Sequence, residues 1–344
     1  MTVRPIYLDY AATTPLLPAA RAAVLDGYDE WANPSSPHGA GRQSRAGLEA
    51  ARARIKAALG WDGEVVLTSG ASEALALAIT RCVQPLTAVC MVEHDAVLRH
   101  AGAARQIGVD ALGIVDVAAC AVPGLVAVQQ ANNETGVLQP LERVAEVVHG
   151  AGGLLLADCA QTAGKMLLPQ TADLIAISAH KFGGPVGTGA LLVRDWAMLR
   201  PTGGQERGYR GGTENLPGAL GMATALEAGS DWLNEAAVLR DLLDKAVTAA
   251  GGESLCAATA RVPSIASYRM PGKSARAQLI RFDGMGIAVS AGSACSSGSL
   301  KTSHVLGAIG YPHADQVIRV SIGRETTRAE VERFIGAWRE VAES

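Results

Sequence analysis

The chain has 344 residues, with 30 Lys and Arg against 33 Asp and Glu, a net charge of −3. That balance offers no broad cationic field, so neither nucleic acid nor an anionic membrane is expected as a partner. Apolar residues make up 49% and charged residues only 18%, which excludes disorder and allows a large core in one large or two ordinary domains.

Strand and helix patterns alternate along the chain. Residues 15–31 and 44–59 read as helices, the second with Leu48, Ile55 and Leu59 on one face. Residues 64–69 read as a strand, followed by a glycine turn and the helix-like SEALALAIT. Further strands are expected at 88–94 and 125–131, and a helix at 141–150 with Gly150 as its C-cap. Residues 153–158, 173–178 and 189–193 are short continuous apolar runs, the pattern of strands covered on both faces. The expected fold is therefore α/β, a mainly parallel central sheet with crossover helices on both faces. Beyond residue 225 the texture changes. A long helix is expected at 231–250, then strands at 264–268, 286–290 and 318–322. The last helix opens on a Thr327/Glu330 capping box and carries an apolar stripe of Val331, Phe334, Ile335 and Trp338. These pieces suggest a smaller α+β domain that the first few residues cross over to join.

No apolar run reaches the ~20 residues that span a bilayer, and the opening MTVRPIYLDY has no secretory pattern. None of the six cysteines, Cys82, Cys90, Cys120, Cys159, Cys256 and Cys295, sits in a C-x-x-C pair or a zinc spacing. Reduced thiols, a cytoplasmic protein and no metal site are expected.

Three motifs fall at carboxyl ends of apolar strands, where ligands of parallel sheets bind. TSGASEALALAI (68–79) opens a helix whose N-terminus offers N–H groups to a phosphate, or is an ordinary turn with Ser72 as N-cap. LLLADCAQT (154–162) places Asp158 at a buried strand end, where a carboxylate needs a cationic or hydrogen-bonding partner. ISAHKFGG (177–184) places Lys181 after another buried strand, a setting that frees an amine for Schiff-base chemistry. A phosphate cradle, an acid and a nucleophilic lysine are together what pyridoxal phosphate requires. A fourth motif, SAGSACSSGSLKTSH (290–304), centres Cys295 in a Gly/Ser-rich loop, the setting of a reactive thiol.

With these motifs the chain resembles the cysteine desulfurases of the class V aminotransferase superfamily, in the group whose catalytic cysteine lies on a long mobile loop. The likeness also runs through LDYAATTP (8–15), NPSSPHGAG (33–41), EHDAVL (93–98), NNETGV (132–137), GGQERGYRGGTEN (203–215) and IRVSIGRETT (318–327). It implies fold type I of the pyridoxal phosphate enzymes, with a large domain at 13–227. A small domain of 1–12 and 228–344 carries the cysteine loop at about 290–304.

The resemblance assigns Lys181 to the covalent cofactor link, Asp158 to the pyridine nitrogen, Gln161 to the ring hydroxyl and His94 to stacking and acid–base steps. Ala71, Ser72, Ser178 and His180 match the phosphate cradle, and Thr213 a residue that reaches the cofactor phosphate of the opposite subunit. Asn133 matches a residue beside the cofactor and substrate, Arg324 the arginine that grips the substrate carboxylate, and Asn33 a helper there. The implied reaction takes sulfur from L-cysteine onto Cys295 as a persulfide, leaving alanine. The implied acceptor is an iron–sulfur scaffold or a sulfur carrier, and the implied assembly is a homodimer. A selenocysteine lyase or aminotransferase on the same fold, or a silent scaffold subunit, are the alternatives. The chain is shorter than typical members: the stretch between His94 and Asn133 is compressed, 251–263 is trimmed, and 274–280 lacks a usual acidic residue.

Overall fold

The computed structural model describes residues 5–292 and 303–344. In chain order the first half runs β1 (Ile6–Tyr7), α1 (Pro18–Asp29), α2 (Gly39–Leu59), β2 (Glu64–Thr68), α3 (Ala71–Arg81), β3 (Leu86–Cys90), α4 (Asp95–Leu98), β4 (Arg105–Ile107), β5 (Leu125–Ala127) and α5 (Leu141–Gly150). There follow β6 (Leu154–Asp158), β7 (Leu174–Ser178), β8 (Gly189–Val193), α6 (Leu216–Glu227), α7 (Trp232–Ala249), β9 (Glu253–Ser254) and β10 (Ile265–Arg269). The chain closes with α8 (Ala275–Gly284), β11 (Ile287–Ala288), α9 (His304–Ala308), β12 (Val317–Ser321) and α10 (Arg328–Glu343).

Seven strands form the central sheet in the order β2-β8-β7-β6-β5-β3-β4. The pairs β7-β6, β6-β5, β5-β3 and β3-β4 are parallel, so the α/β expectation of a mainly parallel sheet is met. Strand β8 is the exception, antiparallel to both β7 and β2. Only residues 179–188 separate β7 from β8, too short a connection for a helical crossover. All residues of β7 and β8 are buried, because helices pack on both faces of the sheet. Leu48, Ile55, Val144 and Val148 of α2 and α5 close one face, and Ala74, Leu75 and Ala78 of α3 the other.

A separate core gathers Leu239, Leu243, Phe282, Ile318, Phe334 and Trp338 around the antiparallel sheet β12-β10-β9, with Ile6 and Leu8 from the start of the chain. Strand β1 pairs in parallel with β11, and Asp9 bridges Ser321. The capping box of α10 is present: Thr327 Oγ1 accepts from the Glu330 N–H at 3.3 Å, and the Thr327 N–H reaches Glu330 Oε2 at 2.8 Å.

Two caps differ from expectation. Helix α5 continues through Gly150, because the N–H of Ala151 still reaches the carbonyls of Val147 and Val148; the left-handed residue is Gly152, at φ +75°. At α3 the N-cap is Gly70 rather than Ser72, which lies inside the first turn. The region between His94 and Asn133 holds only the four-residue α4, β4, β5 and a single 3-10 turn at Ala118–Cys120, in line with its compressed sequence.

Candidate active site

The site is built at the carboxyl ends of β6, β7 and β3, where the sheet delivers three chemically distinct side chains. Asp158 ends β6. Its Oδ1 accepts the Ala160 N–H at 2.9 Å. Burial raises its carboxyl above the ordinary range, opposed by that N–H and by the charges of His94 and Lys181.

His94 follows β3 and caps α4. Its Nδ1 accepts the Ala96 N–H at 3.1 Å, so the neutral ring carries its proton on Nε2. Burial lowers its pKa and keeps it neutral near pH 7.

Lys181 ends the 3-10 turn after β7. Its Nζ donates to the carbonyls of Ala11 at 2.7 Å and Ala12 at 2.9 Å. Burial, then the Arg319 charge, pull its pKa down to about 8, with Asp158 and Asp9 opposing. The Ala11 carbonyl also accepts from Gln161 Nε2 at 3.0 Å, which ties the lysine and Gln161 to one backbone segment. Gln161 Oε1 is buried and has no hydrogen-bond partner among the described residues.

The opposite end of the site lies at the N-terminus of α3. Gly70 holds φ +151°, a conformation open to glycine alone, and gives α3 no side-chain cap. Among the described residues no side chain caps the first-turn N–H groups around Ala71 and Ser72. Gly70 stands close to its neighbours: a Cβ there would lie 3.5 Å from Ser178 Oγ, and one on Gly189 would lie 2.6 Å from Gly70 Cα. Gly189 sits in register with both Ser178 and Thr68, so the sheet itself sets this close approach. His180 Nδ1 lies 3.1 Å from Thr13 Oγ1, and burial holds its pKa down to about 4.

Of the other expected residues, Asn133 offers its carbonyl to Arg319 at 2.9 Å. Arg324 lines a cavity with Lys181; one nitrogen donates to the Gly229 carbonyl at 2.6 Å and the guanidinium stands 6.0 Å from the Trp232 ring. Asn33 is held in a turn by the Ser35 N–H at 2.9 Å, and Thr213 is exposed in a loop whose Arg210 pairs with Glu73 of α3 at 2.8 Å. Among the described residues neither hydrogen-bonds another expected site residue. Cys295 lies outside the described residues.

Sequence reading passed over Arg319 and Asp9. Arg319 lies in β12 between apolar neighbours, is 6% exposed, and joins Asp9 Oδ1 at 2.8 Å. A single arginine inside the run IRVSI was the available signal.

A strand-end acid, a strand-end amine and an uncapped helix N-terminus define a fold-type cofactor enzyme. The chain belongs to the class-V aminotransferase family, whose model (Aminotransferase class-V) matches residues 6–334. A cysteine desulfurase of Gluconacetobacter diazotrophicus is 36% identical over 96% of this chain and 91% of its own length. A NifS-like protein from Rickettsia africae superposes with a TM-score of 0.90 at 28% identity, covering 99% of this chain and 100% of that chain. The structure of SspA in complex with cysteine gives a TM-score of 0.79 at 27% identity, covering 94% of this chain and 100% of that chain.

The family's cofactor is pyridoxal phosphate, and the residues fit it on structural grounds. Gln161 Oε1 is a buried acceptor still wanting a hydroxyl. The Asp158 carboxyl, raised by burial, would be returned to its anion by a ring N–H⁺. The uncapped first turn of α3, with Ser178 beside it, suits a phosphate.

Proposed function

We propose that the chain is a pyridoxal-phosphate-dependent cysteine desulfurase that moves the sulfur of L-cysteine to Cys295 and releases L-alanine. The observation that carries this reading is the convergence of Lys181, Asp158 and His94 at the ends of adjacent and nearby strands. The cysteine desulfurase relatives and the cysteine-bound neighbour support the same substrate.

In this reading Lys181 is the covalent attachment point, and Asp158 pairs the ring nitrogen. Gln161 holds the ring hydroxyl, and His94 lies against the ring. Ala71, Ser72, Ser178 and His180 cradle the phosphate. Pyridoxal phosphate, when bound, supplies the electron sink that makes the substrate Cα–H acidic. The freed Lys181 Nζ takes the Cα proton, a step suited to an amine with a pKa near 8. Arg324 and Asn133 hold the substrate carboxylate, with Asn33 nearby in the assembled enzyme. The Cys295 thiolate then attacks the substrate sulfur: an S–S bond forms, the Cβ–S bond breaks, and Cβ gains a proton as alanine leaves. One cysteine and one enzyme thiol thus become one alanine and one persulfide.

The same reading includes a homodimer in which Thr213 reaches the neighbouring subunit's phosphate. It also includes a cytoplasmic setting and an iron–sulfur scaffold or sulfur carrier as acceptor. No helix among the described residues is long and apolar enough to cross a membrane, and no metal-type cluster of His, Cys, Asp and Glu occurs among them. The test is direct: purified holoenzyme is given L-cysteine and a thiol reductant. Equal amounts of alanine and sulfide are expected; pyruvate without alanine, or no product, would remove the assignment.

A further inference from the structure

Lys165 follows the Asp158 motif; its N–H donates to the Thr162 carbonyl at 2.9 Å, but its side chain makes no hydrogen bond or ion pair among the described residues, although the residue is only 6% exposed. Burying an ammonium without a partner is costly, so an unpaired lysine here calls for a reason. Its side chain lines the cavity that also holds Lys181, Arg324, Trp232 and Tyr10. Among the described residues of that lining the charged ones are Lys165, Lys181 and Arg324, with no Asp or Glu. A concave site with three basic groups and no acid among its described lining is complementary to an anion, which can draw protons onto the amines. Arg324 has one nitrogen committed to the Gly229 carbonyl, at the side of the cavity formed by Trp232. Once Lys181 is occupied by the cofactor, Lys165 is the remaining amine among the described lining residues.

We propose that Lys165 is a substrate-binding residue, which receives the carboxylate of the amino-acid substrate together with Arg324. This rests on the desulfurase reading given above. The groups that face it are Lys181 and His180 from the turn after β7, Arg324 from the loop after β12, and Tyr10 from the N-terminal segment. Burial and the Lys181 charge pull the Lys165 pKa down to about 7. An entering carboxylate therefore draws a proton onto the amine and gains a charge-assisted hydrogen bond with a largely buried side chain.

The experiment compares wild-type holoenzyme with Lys165→Met, which keeps the length of the side chain and removes the charge. The KM for L-cysteine is expected to rise roughly tenfold or more, as for loss of a hydrogen bond to a charged group, while kcat changes little. Binding of L-alanine, followed by spectral titration, is expected to weaken by the same factor. L-cysteine methyl ester, which lacks the anion, is expected to show nearly the same KM with both proteins. Thermal stability of the variant is expected to be equal or higher, since no partner is lost. An unchanged KM for cysteine and an unchanged alanine affinity would overturn the proposal. So would an equal effect on the methyl ester, or a lowered melting temperature with loss of subunit association. Alanine binding reads the Lys165 contact without turnover, so a wild type that fails to desulfurate cysteine would count against the functional reading alone.

Discussion

Arg319 and Asp9, 310 positions apart in the chain, meet at 2.8 Å next to the amine of Lys181. The contact fastens the segment after β1 to β12 and sets the electrostatics of the lysine. Arg319 is the largest charge that pushes the Lys181 proton off, and Asp9 one of those that hold it on.

Arg319→Met is therefore expected to act in one direction on both balances. The repelling charge is gone and Asp9 is released, so the Lys181 pKa should rise from about 8 toward its ordinary value. Covalent loading of pyridoxal phosphate needs the neutral amine, so its pH midpoint should move upward, followed by absorbance against pH. Loss of one partner from a largely buried pair should also cost about 3 kcal/mol of stability, read by denaturant unfolding. An unshifted loading midpoint would show that Arg319 does not tune the lysine.

In the wild type the sign is fixed by the same lysine. With a pKa of about 8, about a quarter of Lys181 is unprotonated at pH 7.5, against about one part in a thousand at the ordinary value. The rate of cofactor attachment to the apoenzyme should rise with pH and level off above 8, rather than climb to pH 10. Lys181→Ala should still fold, with a stability change within about 1 kcal/mol, because the Ala11 and Ala12 carbonyls lose a donor near the open side of the site. It should retain cofactor only without a covalent link and produce no alanine.

Asp158→Asn keeps the acceptor for the Ala160 N–H and removes the charge. Its fold should be unchanged by circular dichroism. Its affinity for pyridoxal phosphate should drop by at least about tenfold, or ~1.4 kcal/mol, the size of one lost charge-assisted contact. An unaltered cofactor spectrum and affinity would take Asp158 out of the ring-nitrogen role.

Much of the frame was legible because burial leaves a simple imprint on sequence. Residues 173–178 and 189–193 are unbroken apolar runs, and both became strands covered on two sides. The direction of β8 was not read, since an apolar run carries no polarity; only the length of the preceding loop does. The N-cap of α3 was misplaced because Ser72 is an ordinary capping residue by type, whereas Gly70 is used for a backbone angle that composition cannot show. Lys181 and Asp158 stood out at strand ends. Arg319, Asp9 and Lys165 did not, because what distinguishes them is who faces them across the fold.

The last expectation concerns where the sulfur goes. Five cysteines are described, and each is shielded: Cys82, Cys90, Cys120 and Cys159 are buried and Cys256 is half-buried. Burial raises the thiol pKa of every one of them, to about 11 for Cys120 and Cys256 and well above the ordinary range for Cys159. At neutral pH almost none of these thiols is a thiolate, and the thiolate is the form that attacks sulfur. Cys159 sits directly beside Asp158, yet its burial and that neighbouring negative charge both act against ionisation. Cys295→Ser should therefore load pyridoxal phosphate and bind cysteine as the wild type does, while forming no persulfide and releasing no alanine with a reductant. Ala variants of the other five should keep sulfur transfer, with Cys159→Ala losing some stability because it opens space in a fully packed region. Incubation of each variant with labelled cysteine, followed by peptide mass mapping, locates the sulfur. Label on any of the five described cysteines, in a Cys295→Ser protein that still turns over, would place the acceptor elsewhere.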